Sequence, residues 1–191
     1  MPIEKPDTVC ELRRIALATF ARQGIDGTTV QEVADEAGCA KSNVLYHFGS
    51  KAGLVQAALE PGVAAFEAFV DGFEQLGSLS EPGVGEAFVD LILEHRLAAN
   101  LVLNRSGELP PGAASDRIQS LIARLQRRFE RSDAEAAAAG LEADEALRLG
   151  VVMGGVAFAV AGPMSPPAAD RDPAELRESL LRIVRGFLRA G

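Results

Sequence analysis

The chain has no tryptophan, one tyrosine and an aromatic share of only 5%. Its core must therefore be built from Ala, Leu, Val and nine Phe, a diet that suits helices better than sheets. Two cysteines, Cys10 and Cys39, are too few for a disulfide framework and fit free thiols in a reducing compartment. Gly (19) and Pro (10) are too sparse for a collagen-like or low-complexity chain. No long apolar run opens the sequence: Glu4, Asp7, Glu11, Arg13 and Arg14 interrupt anything like a leader, so a cytoplasmic location without membrane contact is expected. The stretch from Leu149 to Met164 is too short, and too broken by Gly154, Gly155, Gly162 and Pro163, to span a bilayer comfortably. Positive charge is also scarce. Lys and Arg number 19 against 27 Asp and Glu, for a net charge of −8. That balance weighs against nucleic acid as a partner, since a basic footprint is the usual first sign of one. The deficit is uneven: six Lys/Arg face eight acids in residues 1–60, and 13 face 19 beyond. Specific contact needs only a few well-placed donors, so the charge is a penalty and not a veto.

Hydrophobic residues make up 48% of the 191, enough for a real core. Every segment with a clear period is helical, and no alternating run is long enough for a confident strand. The first helix is expected over Asp7 to Gln23, with Leu12, Ile15, Ala16 and Phe20 on one stripe and Thr19 bonding back one turn. Thr29-Val30-Gln31-Glu32 spells a capping box that opens a short second helix, which Gly38 stops. Ser42 to Phe48 makes a third, closed by Gly49, and Ser50 caps a fourth. Pro61-Gly62 is expected to break the chain's direction and divide the domains. Beyond it come longer helices. One carries Val63, Phe66, Val70 and Phe73, and another carries Phe88, Leu91, Ile92 and His95. Ile118, Leu121, Ile122, Leu125 and Phe129 stripe the next, opposite an arginine face of Arg124, Arg127, Arg128 and Arg131 expected to be solvated. Ala143 to Gly162 is almost wholly apolar after Arg148. Asp172-Pro173-Ala174-Glu175 starts the last helix with an Asp cap and Pro at the first helical position. The fold class is all-α, with about nine helices.

Two short helices joined by a tight turn at Gly38 and packed on a longer first helix make a helix-turn-helix unit. Val44 and Phe48 lie four apart and hold the third helix, leaving Lys41, Ser42, Asn43, Tyr46 and His47 facing outward. That is the division a recognition helix needs: one apolar side, and one side of donors for the major groove. No G-x-S-x-G elbow, phosphate loop or paired-histidine metal motif is present, so no catalytic residues, metal or cofactor are expected. A zinc site would have to converge Cys39, His47 and Cys10 or His95, which share no short paired spacing.

The run from Thr28-Thr29-Val30 through Ala37-Gly38 to Lys41-Ser42-Asn43-Val44-Leu45-Tyr46-His47-Phe48-Gly49-Ser50-Lys51 closely resembles the N-terminal domain of the TetR family of bacterial transcriptional regulators. The resemblance covers about residues 10–60. It implies a helix-turn-helix DNA-binding domain over residues 1–60 and a helical effector-binding and dimerisation domain over 61–191. It implies base-edge contacts from Lys41, Ser42 and Asn43, and phosphate contacts from Thr28 or Thr29, Tyr46, His47 and Lys51. The sequence departs from the commonest pattern at Leu45, where many members carry Tyr; Leu45 either touches a thymine methyl or completes the small core. The resemblance also implies a small-molecule effector. The second domain offers a mostly apolar pocket for it, with Phe66, Phe73, Phe88, Phe129 and Phe158 as candidate walls and His95, Arg96, Asn100 or Asn104 as candidate polar anchors. Residues 143–162 are apolar nearly all round, more than one protomer needs to bury, and residues 172–188 carry a complementary stripe. Paired from two chains they would form a four-helix bundle. The expected function is a repressor, released from an inverted-repeat operator by its effector. The alternative is a helical protein-interaction adaptor that has lost DNA affinity.

Overall fold

In the computed structural model, residues 7–75, 83–138, 144–162 and 172–189 are described. They form nine α-helices: α1 (Asp7–Gln23), α2 (Val30–Glu36), α3 (Lys41–Phe48), α4 (Lys51–Glu74), α5 (Val84–Glu94), α6 (Arg96–Arg105), α7 (Ala113–Ala138), α8 (Asp144–Ala161) and α9 (Pro173–Arg189). A 3-10 turn at Ser106–Glu108 follows α6, and no strand occurs among the described residues.

The local signals act where the sequence puts them. The α1 stripe of Leu12, Ile15, Ala16 and Phe20 is buried, and the Thr19 hydroxyl donates to the Ile15 carbonyl at 2.9 Å. At the start of α2 the Glu32 N–H donates to Thr29 Oγ1 (3.2 Å) and the Thr29 N–H donates to Glu32 Oε2 (2.6 Å), closing the capping box. Asp172 Oδ1 accepts from the Ala174 and Glu175 N–H groups and caps α9. Gly53, a weak helix former, is demanded by its neighbour: a Cβ there would collide with the Phe48 carbonyl oxygen.

The expected break at Pro61-Gly62 is absent, because α4 runs unbroken for 24 residues with Pro61 inside it. An interior proline costs a helix about 3 kcal/mol. The buried face of α4 offsets that cost by continuing straight across the site, from Leu54, Val55, Ala58 and Leu59 to Gly62, Val63, Val70 and Phe73. The boundary expected between residues 60 and 61 therefore falls inside one helix. Leu12, Phe20, Val44 and Leu54 share one apolar cluster with Leu101, Ile118 and Leu121 of α6 and α7. A second cluster joins α5, α8 and α9 through Val89, Leu149, Val152, Leu180 and Val184. The single helix foreseen around Phe88 and His95 is two, α5 and α6, parted at His95 (φ −106°, ψ 28°).

By length and composition α4 could cross a bilayer. Its acids are engaged with α7 instead. Arg117 bonds Glu60 and Glu67, and Arg124 bonds Asp71 and Glu74. The arginine face is thus only partly solvated. Arg124 pairs across to α4, and Arg128 is buried with its guanidinium 5.9 Å from the Phe73 ring centroid. The Arg117 hydrogen bonds hold the Glu67 carboxyl below the usual carboxylate range, and those of Arg124 do the same to Glu74.

Candidate nucleic-acid interface and effector cavity

α3 divides as a groove-reading helix must. Val44 is buried at 1% exposure while Tyr46, two residues on, stands 78% exposed. Lys41 and Ser42 are exposed at the first turn, with Asn43 half-buried beside them. No side chain caps the start of α3, where Ala40 is the N-cap and its carbonyl accepts from the Asn43 N–H at 2.9 Å. Leu45 is 36% exposed and lies on the outer face, beside the small core and not within it. His47 is half-buried, its ring edge-on to Tyr46 at 5.2 Å between centroids. Lys51 opens α4 with its Nζ 3.4 Å from the Asp26 carbonyl oxygen, which draws the ammonium towards the α1–α2 turn.

Thr28 departs from its expected role. Its side chain is fully buried, and its hydroxyl donates to the Gly24 carbonyl at 2.7 Å, closing the turn before α2. The exposed Thr29 remains, with its hydroxyl already accepting the α2 cap bond. Of two adjacent threonines, the fold spends one inside and one at the helix start.

Three acids of the N-terminal helix-turn-helix region (the head) are engaged within it. Glu36 accepts from Arg22 and from Thr19, and these hydrogen bonds, the Arg22 one foremost, hold its carboxyl below the ordinary range. Glu11 is lowered chiefly by its hydrogen bond with Arg14, and Glu32 chiefly by the Thr29 backbone N–H. From Ala37 to Leu59 the sequence holds no acid, only Lys41, His47 and Lys51. A locally cationic face thus sits in an anionic protein. A window count of charge around the turn finds this signal, which the whole-chain sum hides.

A second site lies between α4, α5, α6, α7 and α8. It is a cavity of about 350 Å³ walled by Phe66, Phe88, Leu125, Phe129 and Met153, with the exposed Leu103 and Ile122 on its rim. A wider open groove of about 670 Å³ runs along α9, but its Arg177 and Arg185 are already committed to Asp90 and Glu86. The apolar cavity between the helices is the better ligand site.

Of the nine residues expected at a pocket, Phe66, Phe88 and Phe129 line this one. Phe73 does not; it is buried beneath, stacked on Phe69 at 5.9 Å. Phe158 points outward from α8, 53% exposed. The four candidate anchors also lie outside the lining. Asn100 and Asn104 each donate to the Ala161 carbonyl at 2.8 Å, capping the end of α8. His95 sits at the α5–α6 joint, and Arg96 is exposed at the start of α6. Polar side chains on a striped helix find backbone partners at helix ends, and periodicity alone cannot separate that use from ligand contact.

Residues 12–58 match the family described as bacterial regulatory proteins, tetR family. Over these residues, about a quarter of its length, the chain is similar to the TetR family. A curated relative, the HTH-type transcriptional regulator RutR of Escherichia coli K12, is 37% identical over 70 residues, which are 35% of this chain and 33% of RutR. The chain thus matches about a third of the length of the curated relatives it resembles. Among solved structures, AibR in complex with isovaleryl coenzyme A and operator DNA aligns with a TM-score of 0.67 at 15% identity, covering 92% of this chain and 97% of AibR. The ketosteroid regulator KstR2 of Mycobacterium tuberculosis aligns with a TM-score of 0.65 at 21% identity, covering 96% and 95%. At such identities the likeness is one of fold, and it extends the all-α architecture of these neighbours over the second half of the chain.

Proposed function

We propose that this chain is a homodimeric DNA-binding transcriptional regulator whose hold on an inverted-repeat operator is released by a small, mainly apolar molecule. The observation that carries the reading is the exposure of Tyr46 beside Lys41 on an acid-free helix whose opposite side is locked by Val44. A phenol and an ammonium held outward on a short helix suit a groove walled by phosphates. Lys41, Ser42 and Asn43 stand at the helix start, where base edges are met. Tyr46, His47, Thr29 and Lys51 border them and suit phosphates. Leu45 is placed to meet a thymine methyl.

Lys51→Ala is expected to weaken every duplex about equally and to lower the salt slope by about one, whereas Lys41→Ala or Asn43→Ala relaxes base preference by about 1–3 kcal/mol. Selection from a randomised duplex pool at two salt concentrations reads both effects. Equal loss of specificity in both classes would refute the division of roles, and failure of the parent protein to select any duplex would favour the adaptor.

The second copy docks on the outer face of α8 and α9. Leu147, Val151 and Phe158 on α8, with Ile183 and Phe187 on α9, are between 43% and 65% exposed and line up at helical spacing. With Leu45, Tyr46, Leu103 and Ile122 they complete the exposed large hydrophobics among the described residues. These residues sort into three places: the reading helix, the cavity rim and this face. Pairing the faces builds the four-helix bundle and sets two heads about one DNA turn apart, roughly 34 Å.

The cavity's lining carries almost no polar surface, so it suits an acyl or aromatic group. AibR, described with an acyl thioester, is a fold neighbour consistent with that class. In a thermal-shift screen, acyl and aromatic compounds are expected to raise the melting temperature. Saturation at a hundred times Kd would supply about 2.7 kcal/mol. Stabilisation only by sugars or nucleotides would count against this effector class.

A further inference from the structure

The α1–α2 turn of the head receives a side chain from the far half of the sequence. Glu108, at the end of the 3-10 turn after α6, accepts from the Asp26 N–H through Oε2 at 3.0 Å and from Arg105 Nη1 through Oε1 at 3.0 Å. Asp26 and Glu108 are 82 residues apart. The turn is shaped for the carboxylate. Gly24 has φ +84°, and a Cβ there would lie 3.0 Å from Glu108 Oε2. The buried Thr28 hydroxyl holds the Gly24 carbonyl on the inner side. Lys51 Nζ approaches the carbonyl of the same Asp26, so this residue is bracketed by a carboxylate at its N–H and an ammonium at its C=O. The Asp26 N–H also holds the Glu108 carboxyl below its ordinary range, as expected of an anion seated on backbone donors.

The cavity's walls meet the head in two different ways. α4 belongs to both parts and is fastened to α7 by Arg117 and Arg124, with Gln56 bonded to the Pro111 carbonyl and the Ala114 N–H. α6 lines the cavity with Ala98, Ala99, Val102 and Leu103, then runs within a few residues into Glu108. Its packing against α1 is apolar and undirected. The Glu108 bond is directional, and it fixes an angle where apolar contact alone tolerates sliding.

We infer that Glu108 is a positioning residue that registers the reading head against the α6 wall of the cavity. It acts through Asp26 and touches neither DNA nor effector. The inference rests on the regulator reading only for its consequence on DNA.

The test uses the full chain with Cys10 and Cys39 replaced by Ser and spin labels on Gln31→Cys in α2 and Gln126→Cys in α7. Labelled protein is diluted with unlabelled protein so that only distances within one chain register. The parent is expected to give a narrow head-to-body distance distribution, and Glu108→Ala to broaden it at least about twofold. Glu108→Gln, whose amide oxygen still accepts from the Asp26 N–H, is expected to restore the narrow width. The control Glu11→Gln, in an ion pair on α1, leaves it unchanged. A Glu108→Ala width equal to the parent's overturns the inference, even if stability falls, because a merely structural role lowers stability without loosening the angle. A Glu108→Gln width as broad as that of Glu108→Ala overturns it too, since the hydrogen bond and not the charge is then irrelevant. On a duplex selected by the parent, Glu108→Ala is expected to bind about fivefold to tenfold weaker, through lost preorganisation of the head. Unchanged affinity alongside a broadened angle removes the consequence for DNA. A parent that selects no duplex sinks the regulator reading, while the distances still decide the role of Glu108.

Discussion

Val151→Asp combined with Ile183→Asp is expected to give a folded monomer that has lost nearly all its tight DNA binding. Both side chains are more than half exposed in the single chain, so the substitutions cost the protomer little. In the proposed paired bundle the same positions would be buried against a second copy. Each aspartate would then lose water without gaining a partner, at a cost of several kcal/mol. Across a two-fold axis each change also acts twice. The dimer is expected to weaken by more than about a thousandfold, or roughly 4 kcal/mol. DNA affinity follows through geometry. Two linked heads bind an inverted repeat with an avidity gain of about 10² to 10⁴ over one head, and a monomer forfeits it. Sedimentation at micromolar concentration reads the first effect and titration of the selected duplex reads the second. A parent protein that sediments as a monomer, or a double variant that stays dimeric with a native helical spectrum, contradicts the assigned face.

The largest change expected within one chain comes from Phe20→Ala. Phe20 is 1% exposed in the cluster where α1, α3, α4, α6 and α7 meet. Removing a buried phenyl ring typically costs about 3–5 kcal/mol, a large part of the stability of a small protein. Because that cluster joins the head to α6 and α7, the loss is expected to shift one cooperative transition and not to melt the head alone. Urea denaturation followed by helical signal and by a fluorophore placed on the head checks it. Two separated transitions would show that residues 1–60 fold as an independent unit.

The head was largely legible because its signals are local. A capping box, glycine stops and the four-residue spacing of Val44 and Phe48 each act within a turn or two of chain, and the structure forms its helices at those places. The apolar surplus of residues 143–162 was legible for a related reason, since a helix apolar all round must cover its second side with something, but Phe158, expected at the pocket, stands on the outer face of α8 instead. The misreadings had one character. Pro61-Gly62 is a breaker by local rule, but the buried stripe on both sides of it carries α4 through. Thr28 and Thr29 are chemically alike, and only the approach of the Gly24 carbonyl puts the first inside. Asn100 and Asn104 looked like ligand anchors until the end of α8 arrived to take their amides. The Glu108 bond to Asp26 had no trace in the sequence, since the bonded residues are 82 positions apart.

By itself, then, the order of residues determined the short helices of the head, the outward donors of α3 and the apolar surplus near the end of the chain, because propensity, capping and amphipathic period are written within a few neighbouring positions. Which threonine is buried, where the cavity lies, which arginines are spoken for and how the head is fastened to the body were decided only by tertiary structure. Those outcomes depend on which distant groups compete for the same hydrogen bonds and the same apolar space, and that competition begins only when the helices pack.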